Sequence, residues 1–168
     1  MLTKNFYSYM GAALKQTSIT YTMTTGDTVT TPFAKQKAPF AAMNVWAKSA
    51  KNYGASFGTG TTPATASDYC LESILGTTQI DVSTPSAVSY SRGDTYDEYS
   101  VTFGITNITS EAITISEVGL IAMPYYDGTT SNKYTLVDRT VLDTPTTIPA
   151  GQSKQITYTI RFNYGDAV

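Results

Sequence analysis

The chain has 168 residues, of which 14% are charged and 41% apolar, and it carries a formal net charge of −2 with a pI near 4.9. This length suits one domain with a continuous core, and the weak negative charge argues against a surface for DNA, RNA or an anionic membrane. The lone Cys70 excludes an internal disulfide, and the absence of histidine removes the commonest general base and transition-metal ligand. We therefore expect no catalytic site, no cofactor and no metal ion.

Residues 1–16 have apolar side chains near helical spacing, at Phe6, Tyr9, Met10, Ala13 and Leu14. The segment is predicted to be either a short amphipathic helix or an extended arm that docks on a neighbouring subunit. Residues 17–168 are predicted to form a single domain. No apolar run in the chain approaches the ~20 residues that a membrane-spanning helix needs.

Residues 18–33 alternate between apolar and hydroxyl side chains around Gly26 and Asp27, which predicts a β-hairpin. Residues 34–54 fit either a short helix ended by Gly54 or a strand and a loop. The glycine- and threonine-rich run at 57–63 lacks a complete phosphate-loop motif, and we expect a flexible surface loop there. Residues 67–75 are predicted to form one or two helical turns, capped by Ser67 or Asp68 and ended by Gly76.

The C-terminal half has the clearest strand patterns. Period-two alternation over 99–108 and 156–164 predicts two strands with one buried and one exposed face. The segment 113–123 is apolar on both faces and indicates a central strand. A further strand is predicted over 133–142, followed by a turn from Pro145 to Gly151.

Threonine and tyrosine, of which there are 13 tyrosines, favour the pleated, half-buried surface of a sheet. Strands at short intervals without long intervening helices favour an antiparallel arrangement over a parallel one. The predicted fold is therefore mainly β: an antiparallel β-sandwich of jelly-roll or immunoglobulin-like type, with one or two short helices and an N-terminal arm.

Glu117 and Arg139 lie within otherwise apolar strands. A charge in such a position must be paired or face solvent, because burying it alone is costly. We predict a structural charge pair between Glu117 and Arg139, or between Arg139 and Asp138 or Asp143. The acidic run that holds Asp94, Asp97 and Glu98 is expected to be a solvated turn.

Three segments of the chain resemble a pattern found in structural and accessory virion proteins of tailed bacteriophages. FGTGTTPATASDYCLES is similar to a "GtGttpps-sD-aLe" segment, and ITNITSEAITISEVGLIA ends like a strand of the form "isEiGL". LVDRTVLDTPTTIPAGQSKQITYTIRF is similar to an "L-v-R-vL" strand, a Pro-Ala-Gly corner and a "vtYtI-f" strand. The resemblance covers about residues 57–163.

The resemblance implies a non-enzymatic structural subunit of a tailed-phage virion, made in the bacterial host cytoplasm and assembled into the capsid, neck or tail. Its partners would be copies of itself and other virion proteins, with neither nucleic acid nor membrane. Because aromatic side chains are favoured at interfaces, Phe6, Tyr7 and Tyr9 are the candidate contacts with a neighbour, although the same segment could pack on its own domain.

Two other functions fit the sequence less directly. A tail-tip module binding a host glycan or receptor would use exposed rings, with Trp46, Tyr53, Tyr125 and Tyr126 as candidates. A hydrolase would need two carboxyl groups facing each other across a cleft, about 5–9 Å apart.

Overall fold

The computed structural model describes residues 1–15, 18–31, 54–83, 89–125 and 133–163. Within these ranges one helix and nine strands form. The elements are α1 (Lys4–Lys15), β1 (Ile19–Thr22), β2 (Thr28–Thr31), β3 (Gly54–Gly58), β4 (Ile80–Val82), β5 (Ser89–Arg92), β6 (Tyr96–Asn107), β7 (Ile113–Tyr125), β8 (Lys133–Ile148) and β9 (Ser153–Asn163). All the strand pairs are antiparallel. The predicted fold class, mainly β with a short helix, is confirmed; its jelly-roll or immunoglobulin-like subtype stays a prediction.

Two sheets make up the sandwich. In the first, β7 is central and pairs with β3 and β8. In the second, β6 is central: β9 pairs along almost all of one side of it, while β4 and β5 pair with its two ends on the other side. The predicted central position of the strand that begins at Ile113 is confirmed.

The core between the sheets follows from the alternation along β6. Val101, Phe103 and Ile105 are fully buried, while the residues between them are partly exposed. The Phe103 ring meets Phe57 of β3 edge to face, with the ring centroids 5.9 Å apart. This contact joins the two sheets, and the predicted one-sided burial of this strand is confirmed.

The opposite face of β7 is also covered. Val118 and Leu120 belong to the core between the sheets, whereas Glu117 and Gly119 face the connector that runs through residues 59–75. Covering both faces explains why this strand lacks a polar face in the sequence.

The N-terminal helix and the first hairpin pack against β8 near residues 134–137. Asn5 joins all three elements: its side chain bonds both backbone groups of Thr22 and donates to the Leu136 carbonyl. The predicted hairpin is confirmed, with Ile19 and Tyr21 buried on one face. Of the two alternatives for residues 1–16, a short helix or an extended arm, the structure has the helix, Lys4–Lys15.

Two local predictions were wrong. Residues 67–75 form turns and bends instead of a helix, because the backbone N–H groups of Glu72, Ser73 and Leu75 bond to partners on β3 and β7. The strand β8 continues through Pro145 to Ile148, and its pairing with β7 shifts register near this proline, which has no N–H to donate.

The prediction for 34–54 lies outside the described residues except for Gly54, which begins β3. In the part of the chain that the structure describes, no helix has the length and hydropathy needed to cross a membrane.

Candidate functional site: a buried arginine with three carboxylates

A single guanidinium group lies at the centre of a charge cluster on the outer face of the first sheet. Arg139 donates from Nε to Glu117 at 2.8 Å, from Nη1 to Asp68 at 2.8 Å and from Nη2 to Glu72 at 3.4 Å. Its side chain is only 4% exposed. We call these four residues the Arg139 cluster. Every nitrogen of the guanidinium has a carboxylate partner within the chain.

Glu117 is the innermost member of the cluster and is fully buried. Its carboxylate accepts the backbone N–H of Gly60 at 3.1 Å, of Glu72 at 3.1 Å and of Ser73 at 2.7 Å, besides the Arg139 bond. Three N–H donors and one guanidinium satisfy a buried carboxylate well. The anion therefore holds the connector 59–75 against the sheet.

The glycine-rich run at 57–63 wraps around this buried carboxylate, so the expected flexible surface loop is corrected. A Cβ on Gly58 would lie 2.5 Å from Glu117 Oε1, and one on Gly60 would lie 2.6 Å from the same atom. Glycine is required because the backbone approaches the carboxylate too closely for any side chain. The run does bind an anion, and that anion is supplied by the chain itself.

Asp68 and Glu72 form the outer rim of the cluster, and each also bonds the connector backbone. Asp68 accepts from the N–H and hydroxyl of Thr65, at 3.0 and 2.7 Å. Glu72 accepts from the N–H and hydroxyl of Thr62, both at 2.8 Å. These local bonds shape the connector into turns and point both carboxylates at Arg139.

Glu117 and Arg139, which the sequence predicts as a charge pair, are in contact in the structure. Asp138 does not pair with Arg139, because neighbouring residues of a strand face opposite sides of the sheet. It points instead into the sandwich, where Tyr158 of β9 donates to it. Asp143 is exposed, and all three Arg139 nitrogens are bound elsewhere.

Asp68 and Glu72 were missed as partners of Arg139 because the sequence around them was interpreted as a helix. The one usable signal was the spacing of the two acidic residues, four apart, in a run without a basic residue.

The acid–base properties of the cluster suit a fixed ion network. Partial burial of Asp68 opposes its ionised form, but the bonds from Thr65 and Arg139 outweigh this and lower its pKa. The bonds from Thr62 lower the pKa of Glu72. Burial raises the pKa of the nearby Cys70 thiol. A general acid needs a raised carboxyl pKa and a nucleophilic thiol a lowered one, so these groups are tuned in the opposite direction.

A shallow depression of about 290 Å³ opens beside the cluster, lined by Tyr69 and Cys70 among others. Asp68, Glu72 and Arg139 also line it. Because each Arg139 nitrogen already bonds a carboxylate of the chain, its positive charge is neutralised from within the chain.

Acidification is expected to destabilise the fold through this cluster. The pKa values of Asp68 and Glu72 are lower in the folded chain than the ordinary values of about 3.9 and 4.3 in an unfolded one. Their contribution to stability is therefore complete above those ordinary values and is lost as the pH falls through the folded ones. Urea denaturation between about pH 6 and pH 2 would measure this loss. A double variant, Asp68→Asn with Glu72→Gln, should show a shallower pH dependence; equal slopes for the two proteins would contradict the prediction.

The three residues predicted to contact a neighbour, Phe6, Tyr7 and Tyr9, differ in their exposure to solvent. Phe6 is buried in the chain's own core and packs edge to face on Tyr7, so this residue follows the alternative of packing on its own domain. Its ring lies on the side of α1 that faces the sandwich. Tyr7 is 61% exposed, and Leu14 on the same helix is 82% exposed. The side chain of Tyr9 lies outside the described residues.

The acidic run spans the turn between β5 and β6, which holds Asp94, and the start of β6, which holds Asp97 and Glu98. Asp97 pairs with Arg92 at 2.7 Å within the β5–β6 hairpin, while Glu98 pairs with Arg161 of β9 at 2.6 Å. The expectation of a solvated turn is confirmed for Asp94, which is exposed, and is wrong for Asp97 and Glu98, which belong to strand β6 and are partly exposed.

Another exposed feature lies at the end of the second sheet. The rings of Tyr90 and Tyr99 are 5.0 Å apart, and Phe162 meets Tyr99 at 6.3 Å. Tyr90 and Phe162 are both exposed. The glycan-platform candidates Trp46, Tyr53 and Tyr126, and the side chain of Tyr125, lie outside the described residues.

Among the described residues, no group of three or more His, Cys, Asp or Glu side chains is arranged to hold a metal ion. Comparison with known proteins gives no relative: no family model, no curated protein and no solved structure matches the chain.

Proposed function

We propose that the chain is a non-enzymatic structural subunit of a tailed-phage virion, associated with the capsid, neck or tail. One observation carries the proposal. The three segments that resemble virion proteins are separate in the sequence, and the charged residues of their patterns are in contact in the structure. The charged residues form the Arg139 cluster: the first segment supplies Asp68 and Glu72, the second Glu117 and the third Arg139.

This convergence gives the resemblance a physical basis. The pattern's glycines at 58 and 60 leave room for Glu117, and its acidic positions supply the partners of Arg139. A pattern whose parts depend on each other for folding is less easily produced by chance than separate short matches. The virion role is supported by that interdependence.

The hydrogen bonding of the cluster is more typical of a structural ion network than of a catalytic site. Glu117 has four bonded partners, and the guanidinium bonds three carboxylates. Such a network fixes a surface connector in one conformation, which a subunit needs if it is to present the same contacts in every copy. On this proposal, Tyr7 and Leu14 of α1 contact a neighbouring virion protein.

The test is to locate the chain in particles. Particles of the phage or prophage that encodes the chain would be purified on a density gradient and probed with an antibody against the chain, both in blots and on immunogold-labelled grids. The chain is expected to sediment with intact particles and to label one structural position. A chain that remains in the soluble lysate and never sediments with particles would contradict the proposal.

Variants of α1 sharpen this test. The double change Tyr7→Ser and Leu14→Ser should lower the unfolding free energy by no more than about 1.5 kcal/mol, because both side chains are largely exposed and the main loss is the edge-to-face contact of Tyr7 with Phe6. The amount of chain that sediments with particles is expected to fall. A matched control is Ile74→Ser with Ile108→Ser, which removes two exposed apolar side chains outside α1 and should leave incorporation unchanged.

A second candidate function is recognition of a host glycan or receptor at a tail tip. The observation that favours it is the exposed row of Tyr90, Tyr99 and Phe162, because aromatic faces stack on sugar rings. Binding of the purified chain to host-surface glycan, lost in the Tyr90→Ser and Phe162→Ser variant, would favour this function over a purely structural one.

A further inference from the structure

The outer edge of β9 is an unusually regular strand edge. On its inner side β9 pairs with β6 through eleven consecutive residue pairs, from Ser153–Thr106 to Asn163–Tyr96, without a register shift. Within the described residues, no strand pairs with its other side. Proteins normally protect such edges with prolines, bulges or central charges, and β9 has none of these between Gln155 and Ile160.

The sequence of this edge is a palindrome. Residues 156–160 read Ile-Thr-Tyr-Thr-Ile, with Tyr158 at the centre. Two antiparallel copies paired about Tyr158 would place Ile156 opposite Ile160 and Thr157 opposite Thr159, each with its own kind. Few partners other than a second copy of this strand would match it residue for residue.

We propose that β9 pairs with β9 of a second copy of this chain, antiparallel about a twofold axis at Tyr158, so that the two second sheets become one continuous sheet. The pairing deepens the proposed assembly role and rests on it for its biological purpose. A twofold axis perpendicular to the sheet gives both copies the same exposed face. Residues directly opposite each other across two paired strands also lie on the same face of the sheet. The axis must therefore pass through a residue and not between two residues.

The same symmetry keeps like charges apart. Lys154 and Arg161 are an odd number of residues apart, so their side chains lie on opposite faces of the strand. An axis that passes through a residue therefore never places one opposite the other. With the axis at Tyr158, Lys154 faces Phe162 of the other copy and Arg161 faces Gln155. Arg161 is in addition neutralised by Glu98 of its own chain, at 2.6 Å.

The exposed face of β9 already contains the contact that the pairing would continue. Thr159 shares a hydrogen bond with Ser100 of β6 at 2.8 Å, and Thr157 shares one with Thr102 at 2.9 Å. A hydroxyl can donate one bond and accept two, so each of these threonines can bond a second hydroxyl. In the paired form, Thr159 of each copy would bond Thr157 of the other. Each such bond would join the Ser100–Thr159 pair of one copy to the Thr157–Thr102 pair of the other, which makes a row of four hydroxyl groups.

The mass of the full chain in solution tests the pairing. We expect sedimentation equilibrium to give twice the 18.1 kDa of one chain. Amide hydrogen exchange over 155–161 should slow as the protein concentration rises, while exchange in β8 stays constant. A chain that remains monomeric, or an exchange rate in β9 that is independent of concentration, would overturn the proposal.

Charge variants test the register. The double variant Thr157→Lys with Thr159→Lys would bring four lysines together at the interface and is expected to be monomeric, and so is Thr157→Glu with Thr159→Glu. An equimolar mixture of the two should dimerise again, because each Lys then faces a Glu. The matched control is Thr114→Lys with Thr147→Lys, a hydroxyl pair at 2.9 Å on the exposed face of the first sheet, which should stay dimeric.

The outcomes separate this inference from the proposed function. A lysine variant of β9 that dimerises like the original chain, or a control variant that loses the dimer equally, would overturn the β9 pairing. A monomeric chain that still sediments with particles would overturn the pairing and leave the virion role. A dimer through β9 that is absent from particles would leave the pairing and contradict the virion role.

Discussion

An Arg139→Ala variant is expected to lose about 3–5 kcal/mol of unfolding free energy, because it leaves a buried carboxylate without its cation. Glu117 is fully buried, and its bonds from backbone N–H groups cannot neutralise its charge. Asp68 and Glu72 would then lie beside Glu117 with no positive group between them. Urea denaturation followed by circular dichroism would measure the loss.

The matched control for this prediction is Arg161→Ala. Arg161 also bonds a glutamate, Glu98, but its side chain is half exposed and screened by solvent, so the cost should be much smaller than that of Arg139→Ala. Arg139→Lys should recover only part of the stability, because a single ammonium cannot replace a planar guanidinium that reaches three carboxylates. Equal costs for Arg139→Ala and Arg161→Ala would show that the cluster contributes no more than a surface ion pair.

A Gly58→Ala variant is expected to lose about 1–3 kcal/mol, because the added methyl group overfills a closely packed site. The new Cβ would lie 2.5 Å from Glu117 Oε1 and 2.6 Å from the carbonyl oxygen of Ser73. Neither atom can move freely, since the carboxylate is bonded on several sides and the Ser73 carbonyl accepts the N–H of Thr59 at 2.9 Å. Thermal and urea unfolding would measure the effect.

Gly11→Ala is the matched control, and its effect should have the opposite sign. Gly11 lies within α1, and no atom lies within 4 Å of the position that its Cβ would take. Alanine should therefore stabilise the helix by about 0.5–1 kcal/mol. If Gly58→Ala were as stable as the original chain, the close approach of the loop to Glu117 would have no energetic importance.

Much of the fold follows from local sequence patterns. The alternation through Val101, Phe103 and Ile105 predicts β6 and its buried face, and the apolar run that begins at Ile113 predicts a strand covered on both sides. The hairpin at the N-terminal end follows from alternation on either side of Gly26, whose φ of 92° suits glycine. These features depend on residues within a few positions of one another, which is why they can be inferred without a structure.

The candidate site was only partly predictable. The cost of burying a charge identified Glu117 and Arg139, but the other partners of Arg139 lie 71 and 67 residues away, at Asp68 and Glu72. The capping residues Ser67 or Asp68 and the glycine stop at Gly76 suggested a helix in the connector, because capping signals are a local property. Its backbone donors instead bond Glu117 of β7, a partner that no local pattern specifies.

The sequence by itself therefore determined that the chain is mainly β, which strands face the core, and that the charges in its apolar strands needed partners. The tertiary structure decided which partners they found. It also decided that Phe6 belongs to the core and that the glycine-rich run is an ordered loop around a buried anion. The physical reason is the same in each case: strand periodicity arises between neighbouring residues, whereas pairing of a buried charge depends on segments that only the folded sheet brings together.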